Sequence, residues 1–224
     1  MSNKNRAFIF DMDGVLIDSE NAWIPYQDQF STTLFGKDIY NKIGSTIGIS
    51  INEIYKKAQQ QGFSLNIEEY YRIYDEQAKL IYTNARPTPN VDKLINHLKS
   101  KGFKLGLISS SRRNWIDMAL RRLNIENDFD FILSLNDRKE LKSKPHKDGY
   151  IEAIKYLHAT SKTTIVLEDS NAGIQSAKSS GAFTIGFKEH LLPKYVQTGA
   201  DIYVANMLEV IKVVDKVLTE FGKI

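Results

Sequence analysis

Short, unbroken apolar runs that alternate with amphipathic stretches are the feature that most constrains the fold of this chain. Five runs suit buried strands: "AFIF" (7–10), "FKLGLIS" (103–109), "FDFILSL" (129–135), "TTIVLE" (163–168) and "AFTIGF" (182–187). Continuous rather than alternating apolar residues are typical of strands that are covered on both faces. The pattern therefore predicts a parallel sheet with helices packed on each side.

Helical patterns occupy the intervals between these runs, at 90–102, 112–124, 147–159 and 171–182. Strand–helix–strand repetition favours an α/β fold with a Rossmann-like parallel sheet and right-handed crossovers. In such sheets, ligands bind beyond the carboxyl ends of the strands. Functional residues are therefore expected where the apolar runs end.

The segment between the first two runs departs from this alternation, because it contains helical patterns and no convincing strand. "RPTP" (86–89) ends the helical material and returns the chain to the α/β pattern. We predict an α/β catalytic core formed by residues 1–17 and 87–224. An α-helical cap domain, inserted at 18–86, is expected to cover the ends of the strands.

Composition excludes several classes of function. The 224 residues carry a net charge of only +3, and the 30 basic residues form no concentrated stripe, which disfavours nucleic acid binding. No apolar run approaches the roughly 18 residues of a membrane span, and the N-terminus has no signal-peptide core. The chain has no cysteine, so disulfides and thiolate sites are excluded. We expect a cytoplasmic protein without a membrane or nucleic acid partner, and the oligomeric state stays open.

Polar and charged side chains gather where the apolar runs end. They are Asp11 and Asp13 after the first run, Ser109 and Ser110 at the second, Lys144 between the third run and its helix, and Glu168 and Asp169 at the fourth. Because the carboxyl ends of parallel strands converge on one edge of a sheet, these groups are expected to meet.

The chemistry of these groups is coherent. Clustered carboxylates raise each other's pKa unless a cation lies among them, and oxygen ligands suit Mg²⁺. A hydroxyl, exposed amides and a lysine suit the oxygens of a phosphoryl group. A carboxylate can also serve as the nucleophile that forms an acyl phosphate. The set predicts phosphoryl transfer.

These motifs resemble those of the haloacid dehalogenase (HAD) superfamily, in its phosphatase and phosphomutase branch. The matches are "DMDG" at 11–14, Ser109, Lys144 before Pro145, and "EDSNAG" at 168–173. "DSENAW" (18–23) is similar to the β-phosphoglucomutase and sugar-phosphatase group. The resemblance implies the HAD fold, an α/β core with an inserted helical cap.

The resemblance also implies how the two aspartates after the first strand divide the chemistry. Asp11 attacks phosphorus and holds Mg²⁺. Asp13 protonates the leaving oxygen and then deprotonates the water that opens the aspartyl phosphate, while its backbone carbonyl binds the metal. Two residues of spacing let a short turn aim both at one phosphorus.

The remaining roles that the resemblance implies concern the metal and the phosphate. Asp169 binds Mg²⁺ directly, and Glu168 does so directly or through water. Ser109 and the Ser110 amide hold phosphate oxygens. Lys144 neutralises charge on the phosphate and on Asp11.

Two local alternatives remain open. The serines at 109–111 could instead cap the helix that starts near Arg112, since serine is a good N-cap residue. Lys142 and Lys147 are rivals of Lys144, although the Pro145 that follows favours Lys144.

The choice between hydrolase and mutase depends on the cap. The β-phosphoglucomutases carry a histidine in the stretch occupied here by Trp23, and basic residues in a cap specificity loop. The equivalent loop here, "IGSTIGISIN" (43–52), has no Lys or Arg. We therefore favour a Mg²⁺-dependent phosphatase that acts on a small phosphorylated metabolite, with a sugar phosphate as the favoured class. A phosphomutase is the alternative, a non-catalytic binding protein of the same fold is less favoured, and a dehalogenase is disfavoured because that branch lacks the second aspartate.

Overall fold

The structure is a computed structural model that describes residues 5–44, 46 and 49–221. The strands in these residues are β1 (Asn5–Phe10), β2 (Ile17–Asp18), β3 (Arg86–Pro87), β4 (Phe103–Ser109), β5 (Phe131–Ser134), β6 (Ala159–Glu168), β7 (Phe183–Phe187) and β8 (Ile202–Val204). All five predicted runs form strands. The two-stranded pair β2–β3 and the three-residue β8 were not predicted, because strands this short do not appear as apolar runs in the sequence.

The helices in the same residues alternate with the strands of the main sheet, apart from four that follow one another. They are α1 (Ser19–Phe35), α2 (Lys37–Ile43), α3 (Ile51–Gln60), α4 (Ile67–Asn84), α5 (Val91–Ser100), α6 (Arg113–Leu123), α7 (Asp148–Tyr156), α8 (Asn171–Ser179) and α9 (Met207–Phe221). The four predicted helices of the α/β pattern correspond to α5–α8. No helix in the described part of the chain is both long and apolar enough to cross a membrane.

The main sheet has six parallel strands in the order β5-β4-β1-β6-β7-β8. This confirms the predicted α/β class with a parallel sheet. Strand β1 lies in the centre, where Phe10 is paired with Leu107 of β4 on one side and with Leu167 of β6 on the other. The three strand ends that carry the candidate residues are therefore immediate neighbours.

The central strand explains why its apolar residues are continuous. Phe8 and Phe10 belong to the hydrophobic cluster that includes residues of α5, α6 and α9, whereas Ala7 and Ile9 belong to the cluster that includes residues of α7 and α8. All four side chains are fully buried. Helices cover both faces of the sheet, so none of these four positions on β1 can be polar.

Helices α1–α4, called here the helical segment, leave and rejoin the sheet-containing part at one place. The connections form the antiparallel pair β2–β3, in which Ile17 is opposite Pro87 and Asp18 is opposite Arg86. The division into a core and a cap at residues 18–86 remains a prediction. The specificity loop at 43–52 includes residues 45, 47 and 48, which lie outside the described residues.

Helix α4 is held against α6 by polar contacts at a mostly apolar surface. Asp75 of α4 accepts hydrogen bonds from Arg112 Nη1 at 2.5 Å and from Trp115 Nε1 at 2.6 Å. Nearer the end of α4, Arg122 Nη1 donates to the carbonyl of Tyr82 at 2.7 Å. These bonds fix the direction in which the last turn of α4 faces the sheet.

Candidate active site

A cavity of about 330 Å³ lies between the carboxyl ends of the central strands and the helical segment. The sheet side contributes the charged residues Asp11, Asp13, Lys144 and Asp169. The opposite side is largely aromatic and neutral. The sequence-predicted groups thus open into one space, as the convergence of parallel strand ends requires.

Lys144 forms ion pairs with two carboxylates on the sheet side of the cavity. Its Nζ lies 2.6 Å from Asp11 Oδ1 and 2.5 Å from Glu168 Oε1, and it donates to the Ile108 carbonyl at 3.3 Å. The side chain of Lys144 is 7% exposed, that of Asp11 is 9% exposed and that of Glu168 is fully buried. Burial alone would lower the pKa of the lysine, but the two carboxylates outweigh it and hold that pKa well above its usual value. Lys144 is therefore charged at neutral pH.

The surroundings of Asp11 and Asp169 destabilise the ionised form of each carboxyl. Burial raises the pKa of Asp11, Lys144 opposes that rise, and the charges of Glu168 and Asp13 add to it. Burial also raises the pKa of Asp169, and the nearby charges of Asp11 and Glu168 add to the rise. One lysine does not compensate this many carboxylates, so a further cation would be stabilised among them.

The geometry of the carboxylates fits a divalent cation. Oxygens of Asp11, Glu168 and Asp169 all lie within 4.8 Å of one another. Two glycines make this close approach possible. A Cβ at Gly14 would lie 2.0 Å from Asp169 Oδ2, and a Cβ at Gly173 would lie 2.0 Å from the Glu168 carboxyl. Oxygen-only donors of this kind suit a hard cation such as Mg²⁺.

Asp13 is surrounded by hydroxyl groups rather than by cations. Its Oδ1 accepts hydrogen bonds from Ser19 Oγ and Tyr82 Oη, both at 2.6 Å. Its Oδ2 accepts from Ser111 Oγ at 2.7 Å and from Ser109 Oγ at 3.3 Å. These donors come from α1, α4 and the end of β4, so the carboxyl is oriented jointly by the sheet and the helical segment.

The serines after β4 serve the site rather than the following helix. Helix α6 has Arg112 at its N-cap, and no side chain caps it. The Ser109 and Ser111 hydroxyls donate to Asp13, and Ser109 Oγ also accepts from the Ser111 amide at 3.0 Å. Ser110 lines the cavity. The alternative in which these serines are simple helix caps is therefore wrong.

Lys144 is also distinguished from its rivals. Lys142 and Lys147 are exposed, and only Lys144 of the three lines the cavity.

Glu168 has a second partner besides Lys144. Its Oε1 also accepts a 2.5 Å hydrogen bond from Tyr150 Oη of α7. Tyr150 is fully buried, so it orients Glu168 from beneath the site.

A family model described as haloacid dehalogenase-like hydrolase matches residues 8–187. The chain belongs to this family. The match includes the second half of β1, all four helices of the helical segment, and every residue that the sequence motifs singled out. The proposed resemblance to the HAD superfamily and the predicted fold are thereby confirmed.

Curated and structural relatives of this HAD family member include phosphatases and a mutase. The phosphorylated carbohydrates phosphatase of Thermotoga maritima is 30% identical over 183 residues, which cover 78% of this chain and 81% of that protein. Hexitol phosphatase B of Escherichia coli K12 is 29% identical over 180 residues, with coverage of 78% and 79%. A solved β-phosphoglucomutase of Clostridium difficile is 26% identical, with a TM-score of 0.75 and coverage of 98% and 100%.

Several residues at this HAD site were not predicted from the sequence. They are Ser19, Glu20, Tyr82, Ser111 and Tyr150. Ser19 and Glu20 lie inside the quoted "DSENAW" stretch, and Ser111 lies in the serine triplet, so a signal was present for these three. Tyr82 and Tyr150 lie on helices without a motif, and only helix packing brings them to the carboxylates.

Proposed function

We propose that this protein is a Mg²⁺-dependent phosphatase that hydrolyses a sugar phosphate or a similar small phosphorylated metabolite through an aspartyl-phosphate intermediate. The observation that carries the proposal is the buried Lys144, which contacts Asp11 at 2.6 Å beside an oxygen-rich carboxylate cluster. A phosphoryl group needs a nucleophile, a compensating cation and a proton donor within one water-poor space. All three kinds of group line this cavity.

In the first half-reaction, a carboxylate oxygen of Asp11 attacks phosphorus and the P–O ester bond breaks. The departing oxygen takes a proton from Asp13, so the leaving group is an alcohol and Asp13 becomes a carboxylate. Lys144 opposes the rise in the pKa of Asp11 and balances charge on the phosphoryl oxygens. Ser109 and Ser110 are proposed to bind those oxygens, since both lie at the end of β4 beside Asp13.

In the second half-reaction, Asp13 takes a proton from water as the water oxygen bonds to phosphorus. The acyl–phosphate bond then breaks, which releases inorganic phosphate and restores the Asp11 carboxylate. The four hydroxyl donors around Asp13 hold its carboxyl in place for both proton transfers.

Asp11, Asp169, the Asp13 carbonyl and Glu168 are the proposed magnesium ligands, with Glu168 acting directly or through water. When bound, Mg²⁺ would neutralise charge on the transferring phosphoryl group. Phosphate monoesters hydrolyse so slowly unaided that acceleration of up to about 10²¹-fold is required in this class of reaction.

A phosphomutase is the second candidate, because one of the solved relatives is a β-phosphoglucomutase. A mutase must hold a bisphosphate, and therefore two phosphates at once. Lys144 is the only lysine or arginine among the described residues that line the cavity. The residues at 45, 47 and 48 are Ser, Ile and Gly, so they cannot add a cation wherever they lie. This favours hydrolysis.

The test is a panel of phosphorylated metabolites incubated with the purified protein and Mg²⁺, with phosphate release and isomer formation measured together. We expect phosphate release that EDTA abolishes, and a loss of more than about 10⁴-fold in Asp11→Asn, as for other enzymes that lose a covalent nucleophile. Isomer formation without net phosphate release would instead identify a mutase. Substantial turnover by Asp11→Asn would contradict the mechanism itself.

A further inference from the structure

Glu20 lines the cavity and is used by none of the proposed catalytic roles; the other such acid, Glu53, has a side chain that is 56% exposed. Glu20 lies in the first turn of α1, directly after Ser19, whose hydroxyl binds Asp13 at 2.6 Å. Its carboxyl lines the cavity together with Asp13 and Trp23. The side chain therefore lies on the helical side of the space, next to the group that is proposed to protonate the leaving oxygen.

The Glu20 carboxyl has no protein partner among the described residues. Within the described part of the chain, no residue donates a hydrogen bond to it and no Lys, Arg or His forms a salt bridge with it. Burial, together with the charges of Asp13 and Asp18, raises the pKa of this carboxyl to about 7. A partly buried acceptor without a donor is costly, and a bound ligand that brings a donor would remove that cost.

The surroundings of Glu20 restrict what such a ligand can be. Apart from Glu20 and Glu53, the helical side of the cavity presents neutral groups such as Trp23, Gln27 and Thr46. A leaving group with a second phosphate or a carboxylate would lie against Glu20 without a compensating cation. A leaving group with hydroxyls would supply the missing donor, and its C–H surface would pack on the indole.

We propose that Glu20 is a specificity-determining residue that accepts a hydrogen bond from a hydroxyl of the leaving alcohol and repels leaving groups that carry a second anionic group. The inference rests on the proposed phosphatase function. It restricts the substrate to monophosphate esters of uncharged polyhydroxylated compounds, such as sugars and polyols. Phosphate esters that also carry a carboxylate, bisphosphates and pyrophosphate are expected to be poor substrates.

The test compares the wild type with Glu20→Gln at pH 8, where the Glu20 carboxyl is ionised, on three phosphate esters: sorbitol 6-phosphate, phosphoglycolate and p-nitrophenyl phosphate. Loss of the charge-assisted hydrogen bond should lower kcat/KM for sorbitol 6-phosphate about tenfold. Removal of the repelling charge should raise kcat/KM for phosphoglycolate about fivefold. The value for p-nitrophenyl phosphate, which offers no hydroxyl, should change less than about twofold. Glu68→Gln is the matched control, since Glu68 is an exposed acid in the first turn of α4.

Opposite changes in kcat/KM for sorbitol 6-phosphate and phosphoglycolate distinguish a change in selectivity from a distorted site, because a distorted site loses activity on all three esters. An equal loss on every ester, with a raised Mg²⁺ requirement, would overturn the inference and assign Glu20 to the metal. No change on any ester would overturn it as well.

A binding measurement separates this inference from the proposed function. In the Asp11→Asn background, calorimetry with sorbitol 6-phosphate and with inorganic phosphate needs no turnover. Addition of Glu20→Gln to this background should weaken the binding of sorbitol 6-phosphate about tenfold and the binding of inorganic phosphate less than twofold. If the wild type hydrolyses no ester, the proposed function fails, and the calorimetric ratio still decides the role of Glu20. Equal weakening of both ligands would overturn it.

Discussion

The two walls of the cavity differ in the way their polar groups are held. On the sheet wall, Lys144, Asp11 and Glu168 satisfy one another at 2.5–2.6 Å in nearly complete burial. On the wall formed by the helical segment, Glu20 has no partner among the described residues and its pKa is raised to about 7. The first wall pairs Lys144 with carboxylates of the protein itself, whereas Glu20 on the second wall is proposed to be paired by a ligand.

This difference indicates how reaction and selectivity are divided. The sheet wall is built from the adjacent ends of β1, β4 and β6, whose positions are set by backbone hydrogen bonds. The helical wall depends on side-chain packing, which tolerates substitution without loss of the catalytic groups. Tyr82 and Ser19 are the exceptions, since both reach from the helical segment to Asp13.

The largest effect is expected for Lys144→Gln, which removes the cation of the sheet wall. Two buried carboxylates would lose their partner, so stability should fall by about 3–5 kcal/mol. Turnover should fall by about 10²–10³-fold in molecules that remain folded. Urea unfolding and steady-state kinetics measure the two effects. Lys142→Gln, an exposed neighbour in the same segment, is the control, and equal behaviour of the two variants would contradict the division between the walls.

Glu20→Gln tests the unpaired charge of the helical wall through stability. The folded carboxyl keeps its proton up to about pH 7, whereas the unfolded chain loses it near 4.5, so unfolding free energy falls as pH rises between these values. Without Mg²⁺, Gln at this position should stabilise the protein by about 2–3 kcal/mol at pH 8 and by less than about 1 kcal/mol at pH 5. Urea unfolding at both pH values measures this. Glu68→Gln should show no such pH dependence, and a pH-independent effect of Glu20→Gln would contradict the burial of its charge.

Gly173→Ala tests how tightly the sheet wall is packed. Glycine-to-alanine changes inside helices usually stabilise by about 0.5–1 kcal/mol, but here the new Cβ would lie 2.0 Å from the Glu168 carboxyl. Displacement of that carboxyl should weaken Mg²⁺ binding by about 10–100-fold, as measured by calorimetry. Gln175→Ala, at an exposed position of α8, is the control. Unchanged Mg²⁺ affinity would show that Glu168 does not support the metal site.

The smallest effect is expected for Tyr82→Phe, which removes one of the four donors to Asp13. A less well-oriented proton donor should lower kcat about tenfold for alkyl phosphates, whose leaving oxygen needs a proton. The loss should be smaller for p-nitrophenyl phosphate, because nitrophenolate departs without one. Tyr55→Phe is the control, since Tyr55 Oη donates to the Leu65 carbonyl away from the site. Equal losses on both kinds of ester would assign Tyr82 a purely structural role.

Much of the sheet could be predicted because its signals are local. Where a strand is buried on both faces its residues must be apolar, so the buried parts of β1, β4 and β6 appear as continuous apolar runs in the sequence. The polar residues that follow these runs mark the edge of the sheet where ligands bind. The three-residue β8 was not predictable, because its pairing with β7 depends on the adjacent strand rather than on its own composition.

The amino-acid sequence by itself determined the strand ends and the motif residues that follow them, since both depend on contiguous residues and on the fixed convergence of parallel strands. Only the tertiary structure decided that Tyr82 and Tyr150 reach the carboxylates and that Glu20 has no partner among the described residues. Those contacts depend on the angle at which α1, α4 and α7 pack, and that angle is set by many side chains that are distant in the sequence. Reaction chemistry is thus encoded locally, whereas the surroundings that select a substrate arise from packing.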